Sequence, residues 1–139
     1  MDRISLTVTE RQLKLINRAL EDFFRMRMGQ TYIDLLDDLC FQNIEPEGEN
    51  GKLSSEQFDD AIQRRDMARE KLQELYDICL GPGLERRQKR EDVQNAIDVW
   101  HVIRHWLWEQ RPPDKRGDGT DSYPVFRLGT EPLPEIKGK

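Results

Sequence analysis

Apolar residues recur at intervals of three and four positions in several stretches of the chain, the spacing that places them on one face of a helix. In the first stretch Thr9 and Gln12 have the spacing of a capping box, so a helix starts there and ends or bends at Gly29. The second stretch, residues 31–41, carries acidic residues between its apolar positions. The pattern therefore predicts a long helix followed by a shorter one.

The rest of the chain predicts two more long helices. Ser54 and Gln57 repeat the capping-box spacing, and apolar residues follow at helical intervals until a glycine and proline turn at residues 81–83. A basic segment, residues 84–92, leads into the last helix, which stops at about Gln110 before a proline pair.

Two short stretches contain apolar residues in a pattern typical of strands. They are residues 4–8 and residues 122–129, where Pro124 restricts the strand to a sheet edge or a strand start. We therefore predict an α+β fold that is mainly helical, with three main helices, a short helix and a small two-stranded antiparallel sheet. Residues 1–139 are predicted to form a single domain, in which residues 111–122 are a flexible connector to a C-terminal strand-like tail.

The composition is polar and acidic. Among 139 residues there are 22 lysines and arginines against 27 acidic residues, giving a formal net charge of −5. This balance argues against duplex nucleic acid as a partner, although a small anion needs only a local pocket. Cys40 and Cys79 lack CxxC spacing and are typical of a reducing compartment. With no stretch of signal-peptide or membrane-span length, we expect a soluble cytoplasmic protein without a membrane partner.

An arginine lies on the apolar face of the last helix. Val93, Ile97, Trp100, Arg104 and Leu107 follow one another at intervals of three and four residues. A guanidinium keeps its charge, so a partly buried one needs an anion or an aromatic face beside it. That partner is either an internal carboxylate or a bound ligand, and a phosphate group fits the guanidinium fork well.

Three aspartates are candidates for an internal carboxylate partner of this arginine: Asp22, Asp38 and Asp98. At the end of the first helix, Arg25 and Arg27 point in nearly opposite directions, so they cannot serve one face. If two such helix ends meet at a subunit boundary, one arginine from each could converge on a single anion. The alternative is a solvated helix end at which the cations offset the helix dipole.

The two histidines, His101 and His105, lie one turn apart with Glu109 a further turn along the helix. Imidazoles at this spacing can bind zinc, but a third histidine, a nearby cysteine and the glutamate of the HExxH motif are missing. A polar or interfacial histidine pair is the favoured interpretation. The sequence also lacks the nucleophile, phosphate-loop and dinucleotide-binding motifs. We therefore predict a protein that is not an enzyme and has no metal and no cofactor.

Three segments together resemble a family of small phage proteins: LTVTERQLKLINRALEDFFRMRMGQ, AIDVWHVIRHWLW and YPVFRLGTEPLP. The pattern is similar to that of the phage anti-Thoeris sponge proteins, which bind and sequester the cyclic ADP-ribose signals made by bacterial TIR enzymes and do not degrade them. Some members also look able to hold the cyclic oligonucleotides of CBASS defence systems. The resemblance covers most of the two ends of the chain and little of its middle. It implies a protein of the infected bacterial cytoplasm whose partner is a cyclic nucleotide second messenger.

The resemblance also implies ligand-binding residues. Arg25 in FFRMRMGQ and Arg104 in VIRH would hold phosphate, with His105 adjacent. Phe126 and Arg127, in the terminal segment, would face the same pocket. Apolar faces on every helix further suggest a homo-oligomer, either a dimer or a hexamer.

One feature departs from the pattern of the family. Its members use an aromatic and an amide in the loop before the last helix to sandwich the adenine, whereas here that loop, GPGLERRQKREDVQN, has no aromatic. Arg87 or Gln88 could replace the stacking group, Phe126 could take the role, or the ligand could be a different one.

Two other functions fit parts of the sequence. A helical interaction module would bind a host protein through Trp106 or Trp108 and the acidic helix faces, and Arg104 would then form a core ion pair. A DNA-binding regulator would use the basic residues 86–90, although the overall negative charge opposes it.

Overall fold

A computed structural model describes residues 2–30, 33–81 and 87–138, without the side chains of Ile33 and Asp34. Predictions for residues 31, 32 and 82–86 lie outside the described residues; they concern the start of the second helix, most of the turn at 81–83 and part of the basic segment. Contacts divide the chain into two compact units, Met1–Met28 with Glu85–Lys139, and Gly29–Leu84. That the whole chain folds as one domain stays a prediction.

In the residues that the structure describes, four helices lie where the apolar periodicity predicts them. Their bounds are α1 Glu10–Met28, α2 Ile33–Phe41, α3 Ser55–Cys79 and α4 Glu91–Glu109. Single turns of 3-10 helix occur at Glu49–Gly51, Pro113–Lys115 and Thr120–Ser122. In the part of the chain that the structure describes, none of the helices is both long enough and apolar enough to cross a bilayer.

In the first unit, α1 packs against α4, and the core lies between these two helices. Its buried side chains are those of Phe24, Met28, Val93, Ala96 and Trp100. Phe24 meets Trp100 edge-on, with the ring centroids 5.1 Å apart. Burying one aromatic side chain of this size stabilises a fold by roughly 1.5–3 kcal/mol. This ring pair therefore contributes strongly to holding α1 on α4.

In the second unit, α2 packs against α3. Leu36 and Ala61 are buried there, and the ring centroids of Phe41 and Phe58 are 5.7 Å apart. Further along α3, most side chains are charged and exposed. This distribution agrees with the charged middle of the helix in the sequence, and near the end of α3 the side chain of Tyr76 is buried again.

The start of α3 is held by a capping box. Ser54 Oγ accepts a hydrogen bond from the backbone N–H of Gln57 at 3.2 Å, and the Gln57 side chain accepts one from the backbone N–H of Ser54 at 3.0 Å. Gln57 also accepts from the backbone N–H of Glu47 and donates to the carbonyl of Glu45. The same glutamine therefore fixes both the helix start and the acidic loop before it.

Replacing Ser54 with alanine should lower the free energy of unfolding by about 1 kcal/mol, because the Gln57 amide loses its acceptor. Urea denaturation measures this change. Ser55→Ala, one residue further and at the first position of α3, is the matched control and should change the unfolding free energy by less than about 0.5 kcal/mol. Equal losses in the two variants would mean that the cap has no specific contribution.

The predicted two-stranded sheet is wrong, because the described residues contain no strand at all. In the first predicted strand, Ile4 is 94% and Leu6 is 75% exposed, so the alternating apolar residues do not face a core. The neighbouring Arg3 forms an ion pair with Glu135 at 3.0 Å, well beyond the second predicted strand. The described fold is helical, and the α+β class does not hold.

Side chains of α4 accept the backbone hydrogen bonds that the second predicted strand would have made within a sheet. Asp98, which is 3% exposed, accepts from the backbone N–H groups of Leu128 and Gly129 at 2.7 to 3.1 Å. A buried backbone donor needs an acceptor, and this carboxylate satisfies two donors at once. The C-terminal segment is therefore docked on a helix and not paired with a strand.

Asn95 continues the docking one turn earlier on α4. Its Oδ1 accepts from the backbone N–H groups of Thr130 and Glu131 at 3.0 and 3.1 Å, and its Nδ2 donates to Thr130 Oγ1 at 3.2 Å. A Cβ at Gly129 would lie 2.1 Å from Asn95 Oδ1. Glycine at this position is therefore what permits the close approach of the segment to the helix.

Candidate anion-binding site on the last helix

Arg104 is placed on the partly buried face of α4, beside Trp100. Its guanidinium carbon lies 4.2 Å from the centroid of the Trp100 ring, which is the geometry of a cation–π contact. The guanidinium also contacts the carboxylate of Asp121. With a side chain 29% exposed, Arg104 is covered on most sides but still reachable by a dissolved anion. The Arg104 guanidinium thus has both an aromatic face and a carboxylate beside it, either of which would stabilise its partly buried charge.

The sequence suggested Asp98 among the internal partners of Arg104, whereas Asp98 holds the C-terminal segment. Six residues separate the two on α4, so at 100° per residue they project in different directions. Asp121, which does contact Arg104, lies in a glycine-rich stretch without periodicity. Sequence spacing alone gave no signal for this pairing.

Arg25, the second predicted phosphate ligand, lies in the last turn of α1. Its Nε donates to Glu21 Oε1 at 2.9 Å, and its guanidinium carbon is 5.6 Å from the centroid of the Phe24 ring. Arg27 instead lies over Phe23, with 5.1 Å between guanidinium carbon and ring centroid. Because Phe24 is buried and Phe23 is exposed, the two arginines serve different faces, as predicted.

A series of ring contacts connects the two predicted phosphate ligands. Arg25 lies over Phe24, Phe24 meets Trp100 edge-on, and Trp100 lies under Arg104. We call these four residues the cation–aromatic strip. Each arginine already touches its own carboxylate, so the strip carries little net charge. To bind there, an anion would have to replace a carboxylate or use N–H groups that the carboxylate leaves over.

His105, predicted to lie beside Arg104, shares a partner with it. The distance from His105 Nδ1 to the backbone carbonyl of Asp121 is 2.8 Å, and the His105 ring stacks on Trp108 with centroids 5.7 Å apart. Nε2 is 3.3 Å from Glu109 Oε1. These contacts fix the ring, so His105 positions the Asp121 turn at the end of the strip.

His101 lies against Trp100, with ring centroids 5.0 Å apart. Burial lowers the pKa of this imidazole from its ordinary value of 6.5, and the Arg104 cation lowers it further, while Asp98 and Asp121 act in the opposite direction. A neutral imidazole is therefore favoured next to the strip. This keeps a second positive charge away from Arg104.

We expect an NMR titration of His101 in the folded protein to give a pKa below 6.5. Because the unfolded chain then binds the proton more tightly, protonation favours unfolding. The resulting loss in the free energy of unfolding is absent above pH 6.5 and grows as the pH falls from 6.5 toward the pKa of His101 in the folded protein. His101→Gln should remove this part of the pH dependence of stability. A measured pKa at or above 6.5 would contradict the assignment.

The other four candidate ligand-binding residues lie elsewhere. Arg87 Nε donates to the carbonyl of Met28 at 3.2 Å, where it caps the end of α1. Gln88 is exposed, as are Arg127 and Phe126, the latter by 73%. No contact described for Gln88, Phe126 or Arg127 joins them to the cation–aromatic strip.

The basic segment before α4 makes several contacts within the protein. Arg90 donates two hydrogen bonds to the Asp92 carboxylate, at 3.1 and 3.2 Å, and they lower the pKa of that carboxyl. Arg87 caps α1, and Arg86 lies outside the described residues. A DNA-binding face built on residues 86–90 would have to compete with these internal contacts.

The C-terminal segment covers the two tryptophans that were expected at an interface. Trp108 Nε1 donates to the carbonyl of Gly117 at 2.8 Å, and the Arg116 guanidinium carbon lies 5.4 Å from the centroid of the Trp108 ring. Gly138 packs on Trp106 so closely that an added Cβ would come within 2.7 Å of its ring. Both indoles are half-buried. They offer a protein partner little surface while this segment is docked.

The indole N–H of Trp100 is a buried donor without a hydrogen-bond acceptor in the described structure. Leaving such a donor unsatisfied costs about 1–3 kcal/mol. Native proteins seldom carry one without a reason, and a ligand atom is one such reason. The donor belongs to the same ring that Arg104 covers.

Comparison with protein-family models, curated proteins and solved structures finds no match. The guanidinium groups of Arg104 and Arg25 are partly exposed and suited to an anion, whereas the rings of Trp100 and Phe24 beneath them are buried in the core. Within the described residues, His, Cys, Asp and Glu side chains form no cluster suited to a metal ion.

Proposed function

We propose that this protein binds a cyclic nucleotide signal of bacterial antiviral defence and sequesters it without cleaving it. The observation that carries the proposal is the cation–aromatic strip, with Arg104 over Trp100 and Arg25 over Phe24. Cyclic ADP-ribose isomers and cyclic di- or trinucleotides carry phosphates, which suit the partly exposed guanidinium groups of the strip. The resemblance to the phage anti-Thoeris sponge proteins favours the same class of ligand and a role in immune evasion.

Partial burial is what would make such a site bind tightly. The side chains of Arg104 and Arg25 are 29% and 28% exposed, so a phosphate there would be shielded from most of the solvent. A charge-assisted hydrogen bond in this setting contributes roughly 1.5–3 kcal/mol net. Two or three such arginines can support submicromolar affinity. If a ligand oxygen accepted a hydrogen bond from the buried Trp100 indole N–H, the free-energy cost of leaving that donor unsatisfied would be removed.

Isothermal titration tests binding directly. The purified protein is titrated with cyclic ADP-ribose isomers and, separately, with 3′,3′-cyclic GMP–AMP, cyclic di-AMP and a cyclic triadenylate. The proposal expects saturable heat with a submicromolar Kd for at least one of them. Linear ADP-ribose and AMP are the controls, because they carry phosphate charge but lack the cyclic structure of the proposed ligands. Absence of heat with every cyclic nucleotide would contradict the proposal.

A helical protein-interaction module is the second candidate function, and a specific surface favours it. Leu15, Phe23 and Met26 are exposed on α1, at 68%, 37% and 48%. Such side chains are typical of a surface that another protein covers. The partner is either a second copy, as the predicted dimer or hexamer requires, or a host protein.

Sedimentation analysis separates these two partners. If the surface joins copies of this chain, the wild type sediments as a dimer or hexamer, and Leu15→Lys combined with Met26→Lys gives a monomer. If the wild type is already a monomer at micromolar concentration, the homo-oligomer is excluded and the surface is left for a host protein. Arg18→Ala, a surface change on the same helix, serves as the control.

A further inference from the structure

Asp121 holds the guanidinium group that a ligand phosphate would have to bind. Its carboxylate contacts Nη2 of Arg104, and its backbone carbonyl lies 2.8 Å from His105 Nδ1. Carboxylates and phosphates recognise the same guanidinium fork. The two anions therefore compete for the same N–H groups. In this structure, the position is filled by the Asp121 side chain.

The turn that carries Asp121 packs on α4 but contributes no side chain to the buried core. Asp121 lies in the 3-10 turn Thr120–Ser122, where the Ser122 N–H donates to the carbonyl of Gly119 at 3.1 Å. Just beyond the turn, the side chains of Tyr123 and Phe126 are 67% and 73% exposed. Opening such a segment breaks few apolar contacts, so its free-energy cost is low compared with global unfolding.

Firm anchors lie on both sides of this turn. Before it, the Gly117 carbonyl accepts from Trp108 Nε1 at 2.8 Å, and after it, the Leu128 backbone N–H donates to Asp98 at 2.9 Å. Both anchors are on α4. The intervening residues can therefore leave Arg104 and return to the same place.

We propose that Asp121 is an internal competitor for the anion site, and that ligand binding displaces its carboxylate and its turn from Arg104. This inference rests on the proposed function. It adds a selection by charge: an incoming anion must interact with Arg104 more strongly than a carboxylate that is already in place. A single carboxylate gains little by the exchange, whereas a nucleotide with two linked phosphates brings more charge to the same guanidinium.

Asp121→Asn is the informative variant, because it removes the negative charge and leaves the backbone carbonyl that faces His105. Titrated with the cyclic ADP-ribose isomers, 3′,3′-cyclic GMP–AMP, cyclic di-AMP and the cyclic triadenylate, the variant should bind the nucleotide that the wild type binds about tenfold more tightly than the wild type does. Asp118→Asn is the matched control: it makes the same charge change on an exposed residue three positions earlier and should leave Kd within about twofold.

Hydrogen exchange of the wild type gives a second readout that needs no variant. Saturation with the same nucleotide should speed exchange of the Ser122 amide, because its hydrogen bond to Gly119 belongs to the displaced turn. If the nucleotide binds but Asp121→Asn has wild-type affinity and the Ser122 amide is unchanged or slower, the internal competitor is overturned while the proposed function stands. If neither the wild type nor Asp121→Asn binds any of these cyclic nucleotides, the proposed function fails and the competitor fails with it.

Discussion

Replacing Asp98 with alanine should lower the free energy of unfolding by about 3 kcal/mol, because it removes a charged acceptor and strands two backbone donors. The carboxylate is 3% exposed and accepts from Leu128 and Gly129. We expect the docked C-terminal segment to come away from α4 before the rest of the first unit unfolds. Urea denaturation followed by tryptophan fluorescence measures the effect, since all three tryptophans lie on α4.

Two variants control the Asp98 experiment. Asp98→Asn keeps one acceptor oxygen in the same place and should lose roughly half as much stability. Asp118→Ala, an exposed aspartate in the same C-terminal segment, should change it by less than about 0.5 kcal/mol. A loss for Asp98→Ala no larger than that for Asp118→Ala would mean that the carboxylate does not hold the segment.

Replacing Arg104 with alanine should weaken cyclic nucleotide binding by about 100-fold or more, because it removes two or more charge-assisted hydrogen bonds and the cation over Trp100. The effect on stability should be small, about 1 kcal/mol, since the ion pair with Asp121 is partly exposed and screened by solvent. Isothermal titration and urea denaturation of the same preparation separate the two effects.

Arg104→Lys and Arg90→Ala complete this comparison. Lysine keeps the charge but loses the fork, so the variant should retain an intermediate affinity, about tenfold below the wild type. Arg90, whose described contact is with Asp92, should not affect binding. Wild-type affinity in Arg104→Ala, together with a large loss of stability, would identify Arg104 as a structural ion pair, as the interaction-module reading requires.

The helices could be predicted from sequence because their information is local. Apolar spacing, the Ser54 and Gln57 cap and the prolines after Gln110 each act within a few residues, and the helices lie where these signals place them. The sheet could not be judged locally. Whether the C-terminal segment pairs with a strand or packs on a helix depends on Asp98 and Asn95, which lie about 30 residues earlier in the chain. Alternation in a short segment therefore indicated an extended backbone but not its partner.

In the candidate site too, contacts within one helix could be predicted from the sequence, and contacts between distant segments could not. That Arg104 lies beside Trp100 follows from their four-residue spacing on one helix, and the structure places them together. The link to Arg25 depends on the Phe24–Trp100 contact between α1 and α4, which helical spacing does not reveal. Asp121 was missed because it reaches Arg104 from a glycine-rich stretch without periodicity.

Equilibrium dialysis tests sequestration itself. Cyclic ADP-ribose isomers and the cyclic di- and trinucleotides, each at submicromolar concentration, are dialysed against excess protein, and the protein is then heat-denatured and the released ligand is identified by chromatography. We predict that the free concentration of at least one cyclic nucleotide falls in proportion to the protein added, and that the ligand is recovered intact. Unchanged free concentrations, or recovery of a linear product, would contradict it.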